Sequence, residues 1–506
     1  MSDETKAPQE PQPDEGGSAV GERQSPHKGF FEKVDNFFTI TKSGSDYKKE
    51  IIAGLTTFMA MVYILMVNAG MFSEAWVGLS YGAAYIATAI GAIAGTLLMA
   101  FLAKMPLAQA SGMGVNAFIV YTLLLNGSGL TFANCMVFTL LDGVIFVILT
   151  ATGLRQKIFG AIPAAVRNAI PVGIGLFIAF IGLQNAGLIV KDDSTLIAFK
   201  SFNVLANDFS YSGIIAPVVA MLGVLAIAVM SKKNIKGSIL WGILGSTALY
   251  YILAGIGVAA GNEGCKAIFG GISFSDPFAA FGDWGTQAFG KVFSEGFDFS
   301  AYLNTPGNNA GTLILLLFTT ALSLCIIDMF NTIGTLYGAC AKGNLLDKDG
   351  VPLNMNKMML CDAIATCTGA IAGTSTVTTF VESSSGVAVG GRTGFTSVVT
   401  GLLFILAMFL SPVAQLIPSG ATAAALVWVG VLMMTSVTDI DWTDPAEAFV
   451  GFVTFIIMVL GYSIPDGIGL GILAYVIVKL FTGKVKEISI ATWVIGAFFL
   501  AYFILT

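Results

Sequence analysis

The chain has 506 residues, 55% of them hydrophobic and 11% charged, with a mean hydropathy of +0.82. A soluble domain carries about 25% charged residues, and apolar runs of about 18 or more residues mark membrane-spanning helices. Such runs recur almost end to end here, so a soluble enzyme is excluded in favour of an all-α polytopic membrane protein. The net charge of −6 resides largely in tails and loops, and no basic pattern points to nucleic acid.

In chain order, residues 1–45 are expected to form a cytoplasmic tail, disordered to about residue 28, and then an interfacial segment, GFFEKVDNFFTI, with aromatics at helical spacing. Seven spans follow within 46–260, at 51–72, 80–103, 112–127, 131–152, 163–188, 212–231 and 236–260. A polar, aromatic linker occupies 261–310. Seven more spans lie within 311–482, at 311–338, 357–373, 375–391, 394–411, 417–438, 445–463 and 466–482. Asp444, Pro445 and Glu447 give the thirteenth span a start signal. The segment 483–506 holds a further apolar run, 488–505, which is either a fifteenth span or an interfacial helix.

Lysines and arginines set the orientation. Lys48 and Lys49 before span 1, Lys104, Arg155, Lys157, Lys232, Lys233, Lys236, Lys342 and Lys484 all fall on one side of a fourteen-span path. That side is read as cytoplasmic, together with the N-terminus. Arg392, after span 10, reads as an interfacial anchor.

Seven spans, a linker and seven more indicate a duplication whose second copy is inverted, because seven is odd. The hexapeptide GAIAGT occurs at 91–96 in span 2 and again at 369–374 in span 9. The third span of each half is short and rich in Gly, Ser and Thr: AQASGMGVNAFIVYTL in span 3 and GTSTVTTFVESSSGVAVGG in span 10. Each places one polar residue after a valine, Asn116 after Val115 and Glu382 after Val381. Irregular backbone at membrane depth is tolerated only inside protein or beside a cavity, and interrupted segments at matching positions mark the binding site of an inverted-repeat transporter. A strand leading into a half-helix is expected, with N–H groups of residues 381–385 facing the cavity.

A carboxylate at the bilayer centre costs about 2.5–3.5 kcal/mol on insertion scales, so Glu382 and Asp328 (span 8) are the leading functional candidates. For Glu382 the structural alternative is a cap on the half-helix. Asp142, Asp362 and Asp466 are the competing acids; Asp362 and Asp466 read as structural. The one histidine, His27, lies in the tail, so proton chemistry inside the membrane falls to carboxylates. The six cysteines are scattered packing residues, and neither a metal site nor a cofactor is expected.

At these residues the sequence resembles the hypoxanthine/adenine/guanine (AzgA-like) permeases of the nucleobase–cation symporter-2 family. The strings that carry the resemblance are GLTTFMAMVYILMVNAGMFS, SGMGVNAF (111–118), the run 155–187, DMFNTIGTL (328–336), GTSTVTTFVESSSGVAVGGRTG (373–394) and GYSIPDGIGLG (461–471). The resemblance implies a core domain of spans 1–4 and 8–11, a gate domain of the remaining spans, and short strands in spans 3 and 10. It implies a plasma-membrane purine symporter that uses protons rather than sodium, an elevator-like movement of the core, and a homodimer. Matched by position, it puts Asn116, Asp328 and Glu382 at the substrate and Phe380 beside the base. The backbone at Val381 and Ser383 joins that expected substrate set, and Asp328 and Glu382 are the expected proton-coupling pair. Three residues depart from the family pattern: Asn331 stands for a second acid, Ser111 for a proline, and Asp142 for a small or neutral polar residue. On the same fold, xanthine, uracil or an anion are the rival substrates; a passive channel is the rival class.

Overall fold

The computed structural model describes residues 29–125, 129–153, 162–203, 210–270, 276–348 and 350–505. The expected tail to residue 28 and the pair Arg155 and Lys157 lie outside the described residues. A helix or a strand–helix unit stands at each of the fourteen expected segments. Span 1 is Tyr47–Met61 and Tyr63–Phe72, broken at Val62. Span 2 is Tyr81–Leu98, continued by a π-helical turn to Ala103. Spans 4 to 7 are Phe132–Ala151, Ala164–Asn185, Tyr211–Lys232 and Ser238–Ala259. Span 8 is the long helix Ala310–Lys342, span 9 is Met355–Ala372 and span 11 is Gly394–Met408. Spans 12 to 14 are Ser419–Met433, Pro445–Leu460 and Ile464–Phe481. Asp444 caps span 13, accepting the Ala446 N–H at 2.8 Å.

Spans 3 and 10 break as their composition requires. Span 3 is strand β1 (Gln109–Ser111), helix Met113–Ala117 and a π-helical continuation to Leu124. A hairpin of β2 (Ile189–Asp192) and β3 (Leu196–Phe199) follows span 5, in a loop where no strands were expected. Span 10 is β4 (Val377–Thr379) and the half-helix Ser383–Val389. β1 and β4 pair antiparallel with Gln109 opposite Thr379 and Ser111 opposite Val377. Two copies related by a two-fold axis in the membrane plane would present their strands in this way.

Packing divides the spans as expected. Spans 1, 2, 4, 9, 10 and 11 pack on one another, and spans 5, 6, 7, 12 and 13 form a second set. Both GAIAGT copies serve the strand crossing. Cβ atoms added at Gly91, Gly95 or Gly369 would lie within 3.0 Å of the Val377 side chain. The small residues let spans 2 and 9 close around that fully buried valine.

The linker is more structured than a polar linker suggests. Its helix Pro277–Gln287 packs on span 2, and the Trp284 indole N–H donates to the Ala372 carbonyl at the end of span 9. The apolar run after residue 488 is a helix, Ile490–Leu505, lying against spans 14 and 8.

The half-helix of span 10 docks closely on span 1. A Cβ at Gly386 would sit 2.6 Å from the Ala53 carbonyl oxygen and closer still to the Thr57 hydroxyl. Backbone cannot yield there, so Gly386→Val should displace the half-helix. The expected result is loss of transport with a fall of several degrees in the unfolding temperature of the purified protein, since overpacking costs roughly 1–3 kcal/mol. Differential scanning fluorimetry checks this.

Candidate functional site

The strand pair supplies the scaffold. The β-branched run Val377, Thr378 and Thr379 favours extended backbone, and Gly373, at φ 86°, turns the chain out of span 9. The Gly112 N–H donates to the Thr376 carbonyl at 2.8 Å and the Phe380 N–H to the Ala108 carbonyl at 3.1 Å. The Ala108 N–H donates to the Ser383 hydroxyl at 3.0 Å.

Behind the strands lies a buried polar layer. The Asn116 side-chain carbonyl accepts from the Ser111 hydroxyl at 2.9 Å and from that of Ser375. Asp362 accepts from the Thr332 hydroxyl at 2.7 Å, the Thr379 N–H at 3.2 Å and the Gln109 amide at 3.4 Å. These bonds knit spans 3, 8, 9 and 10 into one rigid block, because each buried polar group depends on its partner.

In front of the strands is a cavity of about 930 Å³ between the two sets of spans. Gly112, Met113 and Gly114 of span 3, Asn331 of span 8 and Thr378 to Glu382 of span 10 form one wall. Pro171 and Ile178 of span 5 and Trp428 of span 12 form the other. The cavity reaches the connection between spans 6 and 7, including Asn234 and Lys236, and also Lys342, on the lysine-rich face. On the opposite face the two sets are tied together. The Thr122 hydroxyl donates to the Tyr462 carbonyl at 3.0 Å and the Asn185 amide to the Tyr121 hydroxyl at 3.1 Å, while within the second set the Tyr462 hydroxyl donates to Gln184 at 2.8 Å. The molecule is therefore open toward the lysine-rich side and closed on the other.

The expected site residues separate into two groups. Phe380, Val381 and Glu382 line the cavity, Val381 with 47% of its surface open. The Glu382 carboxylate makes no capping bond to the half-helix; instead the Tyr63 hydroxyl donates to it at 2.7 Å. Asn116, Asp328 and Ser383 are fully buried and do not form the cavity wall. The Asn116 side-chain oxygen and the Ser383 hydroxyl are spent on the strand scaffold, while the Asn116 amide nitrogen is buried without a hydrogen-bond partner among the described residues. Asp328 lies one turn before Asn331 on span 8. The N–H groups of Ser383, Ser384 and Ser385 close the turn onto the carbonyls of Phe380, Val381 and Glu382, so they are not the cavity-facing donors expected.

Arg392 also departs from expectation. Its guanidinium turns back to donate to the Val387 and Gly391 carbonyls at 2.7 and 2.8 Å, capping the end of the half-helix rather than anchoring at the interface. The Arg392 N–H is held in turn by the buried carboxylate of Glu50 at 3.0 Å. Among the other acids, Asp362 is the scaffold hub just described. Asp466 sits in the first turn of span 14, its N–H on the Ser463 hydroxyl at 3.4 Å. Asp142 is fully buried in span 4 beside Cys367.

The sequence matches the family model Xan_ur_permease, described as "Permease family", over residues 48–470. The chain belongs to this family. It is a multi-pass membrane permease and not an enzyme. The permease is 35% identical over 472 residues to the guanine/hypoxanthine permease PbuO of Bacillus subtilis, a match that covers 92% of this chain and 100% of the relative. It is 32% identical over 480 residues to the adenine permease AdeP of Escherichia coli, covering 94% and 96% of the two chains. Its fold is similar to that of the transmembrane domain of the cyanobacterial bicarbonate transporter BicA, with a TM-score of 0.55, 13% identity, and coverage of 85% of this chain and 97% of that one.

Sequence reasoning missed Tyr63, Thr378 and Thr379, and it treated Asn331 only as a departure from the family pattern. The spacing of Asn331, Gly334 and Thr335, all on the cavity wall, is the helical signal that could have found one of them.

Proposed function

We propose that the permease imports purine nucleobases (adenine, guanine and hypoxanthine) together with protons, by movement of spans 1–4 and 8–11 against the remainder. The observation that carries this reading is the cavity between the two sets of spans, with Glu382 and Phe380 on its wall. A purine is flat and presents N–H donors at its edge. A carboxylate accepts such donors in charge-assisted bonds, while Phe380 offers a ring face and the amide of Asn331 both donates and accepts. The names of the relatives PbuO and AdeP support purines over other cargo.

In this reading Asn116 and Ser383 hold the strands in place around the base. Asp328 and Glu382 carry the coupling proton, Asp328 from its buried position beside the wall. The bicarbonate transporter shares fold alone, and the carboxylate at the cavity wall disfavours an anion here. The protein resides in the plasma membrane with its N-terminus and lysine-rich face in the cytoplasm, so the cavity opens inward. The domain limits 46–260 and 311–482 for the two repeats, and a homodimer, belong to the same reading; the dimer rests on the resemblance alone.

Uptake of radiolabelled adenine, guanine, hypoxanthine, xanthine and uracil into cells expressing the permease tests this. The expected result is uptake of the three purines that collapses when a protonophore dissipates the proton gradient. Preference for uracil, or sodium-driven uptake indifferent to the protonophore, would overturn it.

A further inference from the structure

Tyr63 is a fully buried tyrosine whose hydroxyl makes one side-chain bond, to Glu382. It stands at the first residue of the upper half of span 1, directly after the break at Val62. Span 1 and the half-helix of span 10 are locked together below it, through the close approach of Gly386 to Ala53 and Thr57 and the packing of Met61 against the Ser383 hydroxyl. Val62 separates this docked lower half from the half that begins at Tyr63. No other side chain among the described residues bonds the Glu382 carboxylate. A carboxylate on a cavity wall held by nothing would sample several rotamers, and ordering it would cost binding free energy each time a ligand arrives.

We propose that Tyr63 is a positioning residue for substrate recognition: its hydroxyl holds one Glu382 oxygen so that the carboxylate is preset to receive the N–H edge of the base. This rests on the reading of Glu382 as the acceptor of that edge. The tyrosine itself lies behind Glu382 and is absent from the cavity wall, so its effect on the ligand runs through the carboxylate. The carboxylate and not the phenol then sets which ligands bind, and the phenol sets how tightly.

Tyr63→Phe removes the hydroxyl and keeps the ring. Measured on the full-length protein, it should raise the KM for purine uptake and the Kd of the purified permease for the same radiolabelled purine by about ten-fold. That is the factor a lost hydrogen bond to a charged group carries. The maximal rate per transporter should stay unchanged. Glu382→Asp, which draws the carboxylate back by one methylene from the phenol, should weaken binding similarly. Adding Tyr63→Phe to Glu382→Asp should then cost nothing more, since the pair acts as one unit. Tyr85→Phe is the control for loss of a buried hydroxyl, because the Tyr85 hydroxyl donates to the Ala407 backbone carbonyl at 2.9 Å away from the cavity; its Kd should match wild type. Wild-type KM and Kd for Tyr63→Phe, or full additivity with Glu382→Asp, would overturn the proposal. So would an equal loss in Tyr85→Phe, which would mark a general packing effect. Wild-type uptake by Glu382→Gln would instead overturn the acceptor reading beneath it.

Discussion

Glu382→Gln should reduce purine uptake by about a hundred-fold or more while leaving the permease in the membrane at its normal level. Glutamine preserves the size and one carbonyl oxygen, so the Tyr63 hydroxyl keeps its acceptor and the half-helix keeps its place. What is lost is charge. Hydrogen bonds to charged groups contribute about 1.5–3 kcal/mol each, and a base held by two of them loses about two powers of ten in affinity. The amide also turns an N–H₂ donor toward a substrate edge that presents donors, which is repulsive. Uptake assays paired with quantified membrane protein separate loss of function from loss of fold. Wild-type uptake in this variant would end the assignment of Glu382 to the substrate.

The order of the spans was readable because hydrophobic length and turn chemistry are local properties. So was the breaking of spans 3 and 10, since Gly, Ser and β-branched residues at membrane depth admit few arrangements. The residues that face the cavity were only partly readable, and Asn116 shows why. The valine before each residue pairs it with Glu382 in sequence, yet Asn116 lies inside the helix Met113–Ala117 whereas Glu382 precedes the helix Ser383–Val389. The burial of Asn116 against Ser111 and Ser375 follows from their hydroxyls being within reach, a fact of tertiary contact. Ser111 supplies one of those hydroxyls. Tyr63 illustrates the opposite failure: in the apolar run MAMVYILMV it reads as one more membrane residue, and nothing local says that its hydroxyl meets residue 382. Arg392 was misread because a basic residue at a span end fits an interfacial anchor as well as a helix C-cap.

The two repeats have thus kept one architecture and divided its duties. GAIAGT serves both halves by letting spans 2 and 9 close on Val377. At the strand crossing the first repeat supplies an amide turned inward to the scaffold, and the second a carboxylate turned outward to the cavity. In the proposed reading the strand crossing holds the scaffold through one repeat and meets the base through the other.

Asp362 belongs to the holding face, and its variants should separate structure from coupling. In Asp362→Ala the Thr332 hydroxyl, the Thr379 N–H and the Gln109 amide lose their shared acceptor in a fully buried layer. The Gln109 amide keeps the Thr379 hydroxyl at 3.2 Å, but each of the other two groups left unsatisfied costs about 1–3 kcal/mol, together a large share of the stability of a marginal domain. This variant should accumulate poorly and show no uptake. Asp362→Asn keeps one carbonyl to accept from Thr379 and gains an N–H₂ that can donate to the Thr332 oxygen. It should reach the membrane, unfold a few degrees lower, and still carry purines against their gradient when a proton gradient is imposed. A variant that is stable and binds purine, but no longer accumulates it, would place Asp362 on the proton path and remove it from the scaffold.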